Sequence, residues 1–212
     1  MADAIAVLNA GSSSLKFSLF AETPRDLVLV ARGQAEALHT APRFVAKDAA
    51  GAVLDEKSWG EGASLGHAGA LEHLVAFLRE RMSEHRLAGV GHRVVHGGED
   101  FTEPTLIDEG VLAVIRRNVP LAPLHNPANL IGIEVSLEAA PHLPQVAVFD
   151  TAFHQSIPPR AFHYAIPHEL YAQNRVRRYG FHGTSHRYVV RRAAQRLGVP
   201  LAQFNAISCH LG

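Results

Sequence analysis

This 212-residue chain has little cysteine, no net charge and no long apolar run. Its one cysteine, Cys209, can form neither an internal disulfide nor a thiolate metal site, which favours a reducing compartment. Because 20 basic side chains balance 20 acidic ones, no excess of positive charge is available for a phosphate polymer, and we expect no nucleic-acid partner. No stretch approaches the roughly 20 apolar residues that span a bilayer, so we expect no membrane partner either.

The chain also lacks an export signal at its start. Asp3 stands where a secretory signal is basic, and the first apolar run ends at Asn9. We therefore expect a cytoplasmic protein. The hydrophobic fraction of 47% and the length fit a folded chain with one large domain, or with one domain and part of a second.

Apolar periodicity predicts a run of strands followed by strands that alternate with helices. Strands are predicted at 4–9, 15–20, 27–32, 43–47, 52–55, 88–98, 145–150 and 203–210. Helices are predicted from Ser64 to His85 with Met82 on the apolar face, at 109–118, from Asn126-Pro127 with Asn126 as the cap, near 168–175, and at 184–197 with Thr184 or Ser185 as the cap. This order indicates an α/β protein with a mixed sheet.

The segment TAFHQSIPPR at 151–160 has the proline-rich character of a domain crossing. We therefore divide the chain into a first domain at 1–150 and the beginning of a second at 151–212. The chain stops on a glycine directly after a predicted strand, which predicts that the second domain is truncated.

The segment LNAGSSSLKF at 8–17 places an amide, a glycine, hydroxyls and a lysine around a strand–turn–strand. Main-chain N–H groups and hydroxyls at such a turn can hold phosphate oxygens, and Lys16 adds a positive charge. A hairpin turn that needs glycine and serine only for its geometry is an equally weighted alternative.

The segment GHRVVHGG at 91–98 places Arg93 and Val95 on one face of a predicted strand. A guanidinium beside a small apolar side chain suits a short carboxylic acid. A structural ion pair of Arg93 is the alternative. At the end of the next predicted strand stands Asp150, where open α/β sheets place ligand contacts, with capping of the following segment as its alternative.

Two histidines precede predicted helix starts. His182, in YGFHGTSH, is placed to meet a phosphate at a helix N-terminus, whereas a zinc site with His186 lacks the glutamate of the usual motif. His125, in LAPLHNPANL, has a structural loop role as its alternative. The histidines of the long helix region, His67, His73 and His85, are expected to be solvated.

Five segments in this order closely resemble the acetate kinase family: VLNAGSSSLKF, GHRVVHGG, LHNPAN, FDTAFH and YGFHGTSH with its continuation ISCHLG. The resemblance covers nearly the whole chain. It implies the ribonuclease-H-like (actin-like ATPase) fold of the acetate and sugar kinase, Hsp70 and actin superfamily, with a second such domain beginning at the end of the chain. It also implies reversible phosphoryl transfer between ATP and acetate, giving ADP and acetyl phosphate, with Mg²⁺ or Mn²⁺ and in a homodimer.

The same resemblance implies a role for each matched residue. The metal would be placed by Asn9, and phosphates would be contacted by Ser12, Ser14 and Lys16. The acyl carboxylate would be held by Arg93, and the methyl pocket lined by Val95, Leu124 and Phe181. The transferring phosphoryl group would be stabilised by His125 and His182, with Asp150 as the acid/base residue. A nucleotide phosphate loop would begin at His210, Leu211 and Gly212.

Elementary chemistry qualifies the role of Asp150. The attacking substrate would be a carboxylic acid with a pKa near ~4–5, which is already ionised at neutral pH. It therefore has no proton for Asp150 to remove before it attacks a phosphate. We therefore expect Asp150 to orient Arg93 or a metal-bound water. The family's second arginine, adenosine pocket and metal-binding glutamate fall beyond residue 212, which predicts that the chain alone is inactive. A propionate or other short-chain acyl kinase, and a non-catalytic module that binds phosphate or acyl phosphate, remain the alternatives.

Overall fold

The computed structural model describes residues 2–81 and 84–211 and shows one mixed sheet with helices beside it. Two predicted positions lie outside the described residues. These are Met82, predicted on the apolar face of the first helix, and Gly212, predicted in the phosphate loop. The strands are β1 (Ala2–Gly11), β2 (Ser14–Glu22), β3 (Leu27–Glu36), β4 (Arg43–Asp48), β5 (Val53–Ser58), β6 (His85–Val94), β7 (Thr105–Leu106) and β8 (Gln145–Phe149). The helices are α1 (Gly66–Arg81), α2 (Glu109–Arg117), α3 (Asn126–Ala139), α4 (Pro159–Phe162), α5 (His168–Asn174) and α6 (Gly183–Leu197).

The sheet order is β5-β4-β3-β2-β1-β6-β8-β7. Strands β1 to β5 pair antiparallel, whereas β1, β6 and β8 run parallel to one another. The parallel strands therefore end at one edge of the sheet, near Asn9, Arg93 and Asp150. Open α/β sheets bind ligands at this edge, so the topology alone brings three of the predicted site residues together.

The core lies between the sheet and the helices α1 and α3. Alternate residues of β1, such as Ala6 and Leu8, are buried there against Leu74 and Phe77 of α1. A second cluster joins α2 and α3 to the ends of β6 and β8. The residues between them on β1 point to the opposite face, where Val7 is 38% exposed. That face presents an exposed apolar side chain at the centre of the sheet.

The structure confirms the predicted α/β class and mixed sheet. The predicted ends of one helix and one strand, and one entire predicted strand, were wrong. Helix α1 does not extend to His85, because the chain there already pairs with β1 as the start of β6. Strand β6 ends at Val94 and not at residue 98, because the next backbone groups bond to α3. Residues 203–210 form no strand: Leu201–Gln203 is a 3-10 turn, and within 151–211 no other strand is present to pair with.

The expectation that the histidines near α1 are solvated was also wrong. His67 is buried, and its Nε2 lies 2.7 Å from the carbonyl oxygen of Gly11. His73 is half-buried with its Nε2 3.1 Å from Asp55, and His85 is half-buried. The positions of His67 and His73 follow from the packing of α1 against the β1–β2 hairpin and β5, whereas His85 is the first residue of β6. In the described part of the chain, none of the helices is both long and apolar enough to cross a bilayer.

Candidate active site

Arg93 and Asp150 form the centre of the site. The Asp150 carboxylate is 1% exposed and accepts hydrogen bonds from Arg93 Nη2 at 2.6 Å and from Arg93 Nε at 3.1 and 3.2 Å. Arg93 itself is 34% exposed. The expected contact between the two residues is therefore present, and the alternative of an ion pair for Arg93 is present as well. The alternative that Asp150 caps the following segment was wrong, because its carboxylate faces Arg93.

Two further predicted residues lie beside this pair. Arg93 Nη1 is 3.4 Å from Oδ1 of Asn9, a long contact that leaves the nitrogen open to another acceptor. Asn9 and Lys16 are direct partners in the β1–β2 ladder, and side chains of such partners share one face. The ladder thus places a positive charge next to the amide that neighbours Arg93.

The His182 segment is attached to Asp150 through the backbone. The N–H of Gly183 donates to the carbonyl oxygen of Asp150 at 3.0 Å, and a Cβ at position 183 would overlap that oxygen. Helix α6 consequently starts at Gly183 with His182 as its N-cap residue, so the prediction of Thr184 or Ser185 as the cap was wrong.

His182 is exposed, and its ring stacks on that of His210 with centroids 3.9 Å apart. His210 Nδ1 lies 3.1 Å from the hydroxyl of Ser185. Partial desolvation and the neighbouring His210 lower the pKa of His182, while the charge of Asp150 acts in the opposite direction. The structure therefore brings His182 and His210 into one group near Arg93 and Asp150.

The predicted methyl-pocket residues lie on three different segments of the chain. Val95 is buried directly after β6, so the alternation that was expected to place it on the face of Arg93 ends at Val94. Phe181 is 43% exposed with its ring 5.6 Å from that of His96, and Leu124 is 78% exposed. The shared pocket stays a prediction.

The remaining predicted residues lie on three segments. Ser12 and Ser14 belong to the tight β1–β2 turn, which is held by a hydrogen bond from the Leu38 N–H to the Ser13 carbonyl at 3.2 Å. His125 is exposed and is the N-cap residue of α3, a position predicted for Asn126. Leu211 is 91% exposed. The hydroxyls of Ser12 and Ser14 and the side chains of His125 and Leu211 are thus accessible to a ligand.

Comparison with known proteins now identifies the family. The model of the acetokinase family matches residues 4–212. The chain belongs to the acetokinase family. It is 48% identical to the acetate kinase of Pseudarthrobacter chlorophenolicus, over 98% of this chain and 50% of that protein. The chain spans about half the length of the curated relatives it matches.

Solved structures agree with the family. A propionate kinase from Francisella tularensis subsp. tularensis matches with a TM-score of 0.83 and 42% identity, over 93% of this chain and 50% of that one. The acetate kinase of Porphyromonas gingivalis matches with a TM-score of 0.81 and 39% identity, over 94% of this chain and 50% of that one. These likenesses and the mixed sheet confirm the predicted ribonuclease-H-like (actin-like ATPase) fold.

Two asparagines that sequence reasoning missed hold the site of this acetokinase chain together. Asn129 accepts from the Val95 N–H at 3.0 Å and donates to the Ala10 carbonyl at 2.8 Å, which ties the ends of β6 and β1 to α3. Asn126 accepts from the His96 N–H and donates to the His96 carbonyl. Both are buried. Their three-residue spacing in HNPAN, on one face of a helix start, was the available signal.

A cluster of charged side chains joins the loop after β6 to residues 171–177 of the acetokinase chain. Glu99 accepts hydrogen bonds from Arg175 and Arg177 at 2.6 Å each and from Tyr171 at 3.1 Å. Burial raises the pKa of the Glu99 carboxyl, but the hydrogen bonds from Arg177, Arg175 and Tyr171 outweigh it and the net shift is downward. The cluster attaches the segment before His182 to the loop that follows β6.

The described residues fit a metal that arrives with a nucleotide better than a resident one. Within the described ranges, no three histidine, cysteine, aspartate or glutamate side chains gather in a way that could hold an ion. Both oxygens of Asp150 face Arg93, whereas Oδ1 of Asn9 has only its long contact with Arg93. Mg²⁺ takes phosphate oxygens and water together with few protein ligands, and the amide oxygen of Asn9 is the predicted ligand that this arrangement leaves accessible.

Buried histidines behind the site predict a pH-dependent stability. His92 Nε2 donates to Gln145 at 2.7 Å, and burial lowers the pKa of His92 to about 4. Since this folded pKa lies below the unfolded value near ~6.5, the unfolded state binds more protons in between, and stability falls as the pH falls through that window. From His92 we expect a loss of about 2 kcal/mol between roughly pH 7 and pH 5.

Urea unfolding of the wild type and of His92→Gln at these two pH values measures this loss. Burial also lowers the pKa of His96 to about 4, so part of the pH dependence remains in the variant. The wild type is expected to lose about 2 kcal/mol more than His92→Gln on acidification. Equal losses in the two proteins would show that His92 is not the titrating group.

Proposed function

We propose that this chain is the N-terminal half of an acetate kinase, which transfers a phosphoryl group reversibly between ATP and acetate to give ADP and acetyl phosphate. The observation that carries the proposal is the geometry of Arg93. One side of its guanidinium is fixed by the buried Asp150, while the group as a whole remains 34% exposed, with Asn9 beside it. The segment that carries His182 is bonded to the Asp150 backbone. Such an arrangement suits a small carboxylate that must meet a phosphate.

A guanidinium has more than one edge for a planar acceptor. Asp150 occupies the edge formed by Nε and Nη2 of Arg93, and the edge formed by Nη1 and Nη2 carries only the long contact with Asn9. A carboxylate binds such an edge through two parallel hydrogen bonds. In the proposed complex, Arg93 therefore holds acetate with one edge and is held by Asp150 with the other.

Phosphoryl transfer requires positive charge around the transferring phosphoryl group more than it requires a general base. A phosphoryl group in transfer spreads its negative charge over three equatorial oxygens, which positive and hydrogen-bonding side chains stabilise. We assign His182 and His125 to these oxygens, and Ser12, Ser14 and Lys16 to the phosphates of the nucleotide. A bound Mg²⁺ or Mn²⁺, placed by Asn9, would neutralise charge on those phosphates.

Asp150 acts in this proposal as a positioning residue. Acetate is already ionised at neutral pH, so no proton has to be removed before it attacks. Both Asp150 oxygens point to Arg93, and the side chain is 1% exposed, which leaves no room for contact with a substrate proton. Its function is to fix the orientation of the guanidinium.

The remaining parts of the proposal extend to the whole protein. Residues 1–150 form the acyl- and phosphate-binding domain, and 151–212 begin the nucleotide-binding domain, with His210, Leu211 and Gly212 at the start of a phosphate loop. The whole protein is a cytoplasmic homodimer whose partners are acetate or acetyl phosphate and ATP or ADP, with no nucleic-acid or membrane partner.

A propionate or other short-chain acyl kinase is the second candidate, and the likeness to a propionate kinase structure favours it. The proposed place of Val95 in the methyl pocket supports acetate, because one methylene more or less in such a pocket is worth ~1–3 kcal/mol of discrimination. Comparing kcat/KM for the two acids in the full-length protein decides between them. A preference for propionate would overturn the assignment to acetate.

Replacing Arg93 by alanine in the full-length protein is expected to raise the KM for acetate and to lower kcat. The lost charge-assisted hydrogen bonds to the carboxylate are worth ~1.5–3 kcal/mol of transition-state stabilisation. Steady-state kinetics with acetate and Mg·ATP measure both constants. Arg86→Ala is the matched control, because Arg86 lies on the same strand and is ion-paired with Asp3 at the opposite end of the sheet.

The variant Arg93→Lys distinguishes a loss of acetate binding from a loss of folding stability. It keeps a positive charge near Asp150, whose burial without a partner would be destabilising. A lysine cannot offer two parallel hydrogen bonds to each of two carboxylates, so KM for acetate remains raised. Wild-type kinetics in Arg93→Ala would mean that the arginine has only a structural role.

A further inference from the structure

We propose that His154 is a positioning residue that fixes the backbone around His182 in its active conformation. The proposal rests on the function proposed above for His182. His154 lies in FDTAFH, four residues after Asp150, in the 3-10 turn Ala152–Ser156. Its side chain connects this turn to the segment Gly180–Gly183, which carries His182.

A hydrogen bond forms the first connection. His154 Nε2 lies 2.9 Å from the carbonyl oxygen of Phe181, the residue directly before His182. Because a carbonyl oxygen can only accept, Nε2 carries the proton and donates it. This bond fixes the direction of the peptide group that leads into His182.

Packing against Gly180 forms the second connection. A Cβ at position 180 would overlap the imidazole ring of His154, so the ring lies directly against the main chain at this glycine. Any other residue at 180 would displace the ring and break its hydrogen bond with Phe181. The glycine and the histidine are therefore required together.

The opposite end of the same segment is held just as closely. Gly183 donates to the Asp150 carbonyl at 3.0 Å and approaches it more closely than a residue with a side chain could. Between these two attachments His182 has φ 52° and ψ 29°, a left-handed conformation that residues other than glycine rarely adopt. No side-chain hydrogen bond caps the helix at this position.

The left-handed conformation of His182 therefore depends on its neighbours. If the bond from His154 to Phe181 is lost, the peptide that leads into His182 loses the hydrogen bond that fixes its direction, and the His182 ring can shift from its position. The bond of Gly183 to Asp150 and the ring contacts of Phe181 with His96 and of His182 with His210 remain.

The hydrogen bonds of Arg93 go to Asp150 and Asn9, outside this segment, so its hold on the carboxylate does not depend directly on His154. Phe181, which is predicted to line the methyl pocket, is the one substrate-facing residue of the segment besides His182. Loss of His154 is thus expected to affect the reaction step more than the binding of either substrate.

Kinetics of His154→Leu and His154→Gln in the full-length protein test the proposal. Leucine fills space without a donor, whereas the amide nitrogen of glutamine reaches about as far as Nε2. We expect kcat of His154→Leu to fall by about 10-fold to 10²-fold with both KM values little changed, because a small misplacement of a reacting group has this effect. His154→Gln recovers most of kcat. His163→Leu, at another half-buried histidine, is the matched control.

Hydrogen exchange of the Gly183 amide in the 212-residue chain gives a readout that does not need activity. Exchange is expected to be faster in His154→Leu and in Gly180→Ala, which displaces the ring from the other side, and unchanged in His154→Gln. Unchanged exchange in both disruptive variants would overturn the proposal. So would an undiminished kcat in His154→Leu, or a loss that glutamine does not restore. An inactive wild type would instead count against the proposed function alone, since the exchange result stands by itself.

Discussion

The 212-residue chain alone is expected to form no measurable acetyl phosphate from acetate and Mg·ATP. It spans about half the length of its curated relatives, and the groups that we assign to the acyl and phosphoryl parts of the reaction lie at one sheet edge of its described residues. Phosphoryl transfer needs both sides of the site to close, to exclude water and to align the reacting groups. Half of such a site cannot supply that alignment.

The chain also exposes several large apolar side chains. Ile207 is 95% exposed, Tyr188 66% and Val7 38%. Exposed apolar surface of this kind favours association, so dimers or aggregates are expected for the chain alone. Size-exclusion chromatography at several concentrations measures this tendency.

Acetyl phosphate formation and a thermal shift with Mg·ATP are the measurements for the isolated chain. The full-length protein is the positive control. Turnover of the chain near that of the full-length protein would contradict the prediction and reveal a nucleotide site within residues 1–212. If the full-length protein binds acetyl phosphate but, like the isolated chain, catalyses no phosphoryl transfer, the alternative of a non-catalytic binding module is supported.

Replacing His182 by alanine in the full-length protein is expected to lower kcat by ~10²–10³ with little change in either KM. His182 stands beside Asp150 and Arg93 at a helix start, where a transferring phosphoryl group would meet both the ring and the helix N–H groups. A donor that acts mainly in the transition state changes the rate and leaves ground-state binding almost unaffected.

The control for this variant is His142→Ala, at an exposed histidine just after α3 on the opposite end of the sheet. It is expected to have wild-type kcat and KM. A His182→Ala variant with normal kcat and a raised KM for ATP alone would contradict the assignment, because His182 would then serve nucleotide binding.

The sequence predicted the fold well wherever the apolar pattern decided it. Alternating residues marked β1 and β2, and three- and four-residue steps marked α1, since each pattern records which side of an element is buried. Residues 203–210 have the pattern of a strand but lack a neighbour to pair with in the described segment. The boundary near His85 was missed because pairing with β1 outweighs helix propensity there.

The central part of the site could be predicted because its residues follow strands. Arg93 and Asp150 lie at the ends of neighbouring parallel strands, and their contact follows from the sheet topology. The spacing of Asn126 and Asn129 placed both on one helix face, but their partners on β6 and β1 could not be predicted, because they are distant in sequence. The bond from His154 to Phe181 joins distant segments as well, and no periodic pattern marks it.

The most direct test of the proposed acetate kinase activity is the formation of acetyl phosphate by the full-length protein, trapped with hydroxylamine as the hydroxamate. We expect a product that requires both acetate and Mg·ATP and that forms with higher kcat/KM from acetate than from propionate. We also expect its formation to be strongly reduced in Arg93→Ala but not in Arg86→Ala. A folded full-length protein that forms no hydroxamate from either acid, or one in which Arg93→Ala matches the wild type, would contradict the proposal.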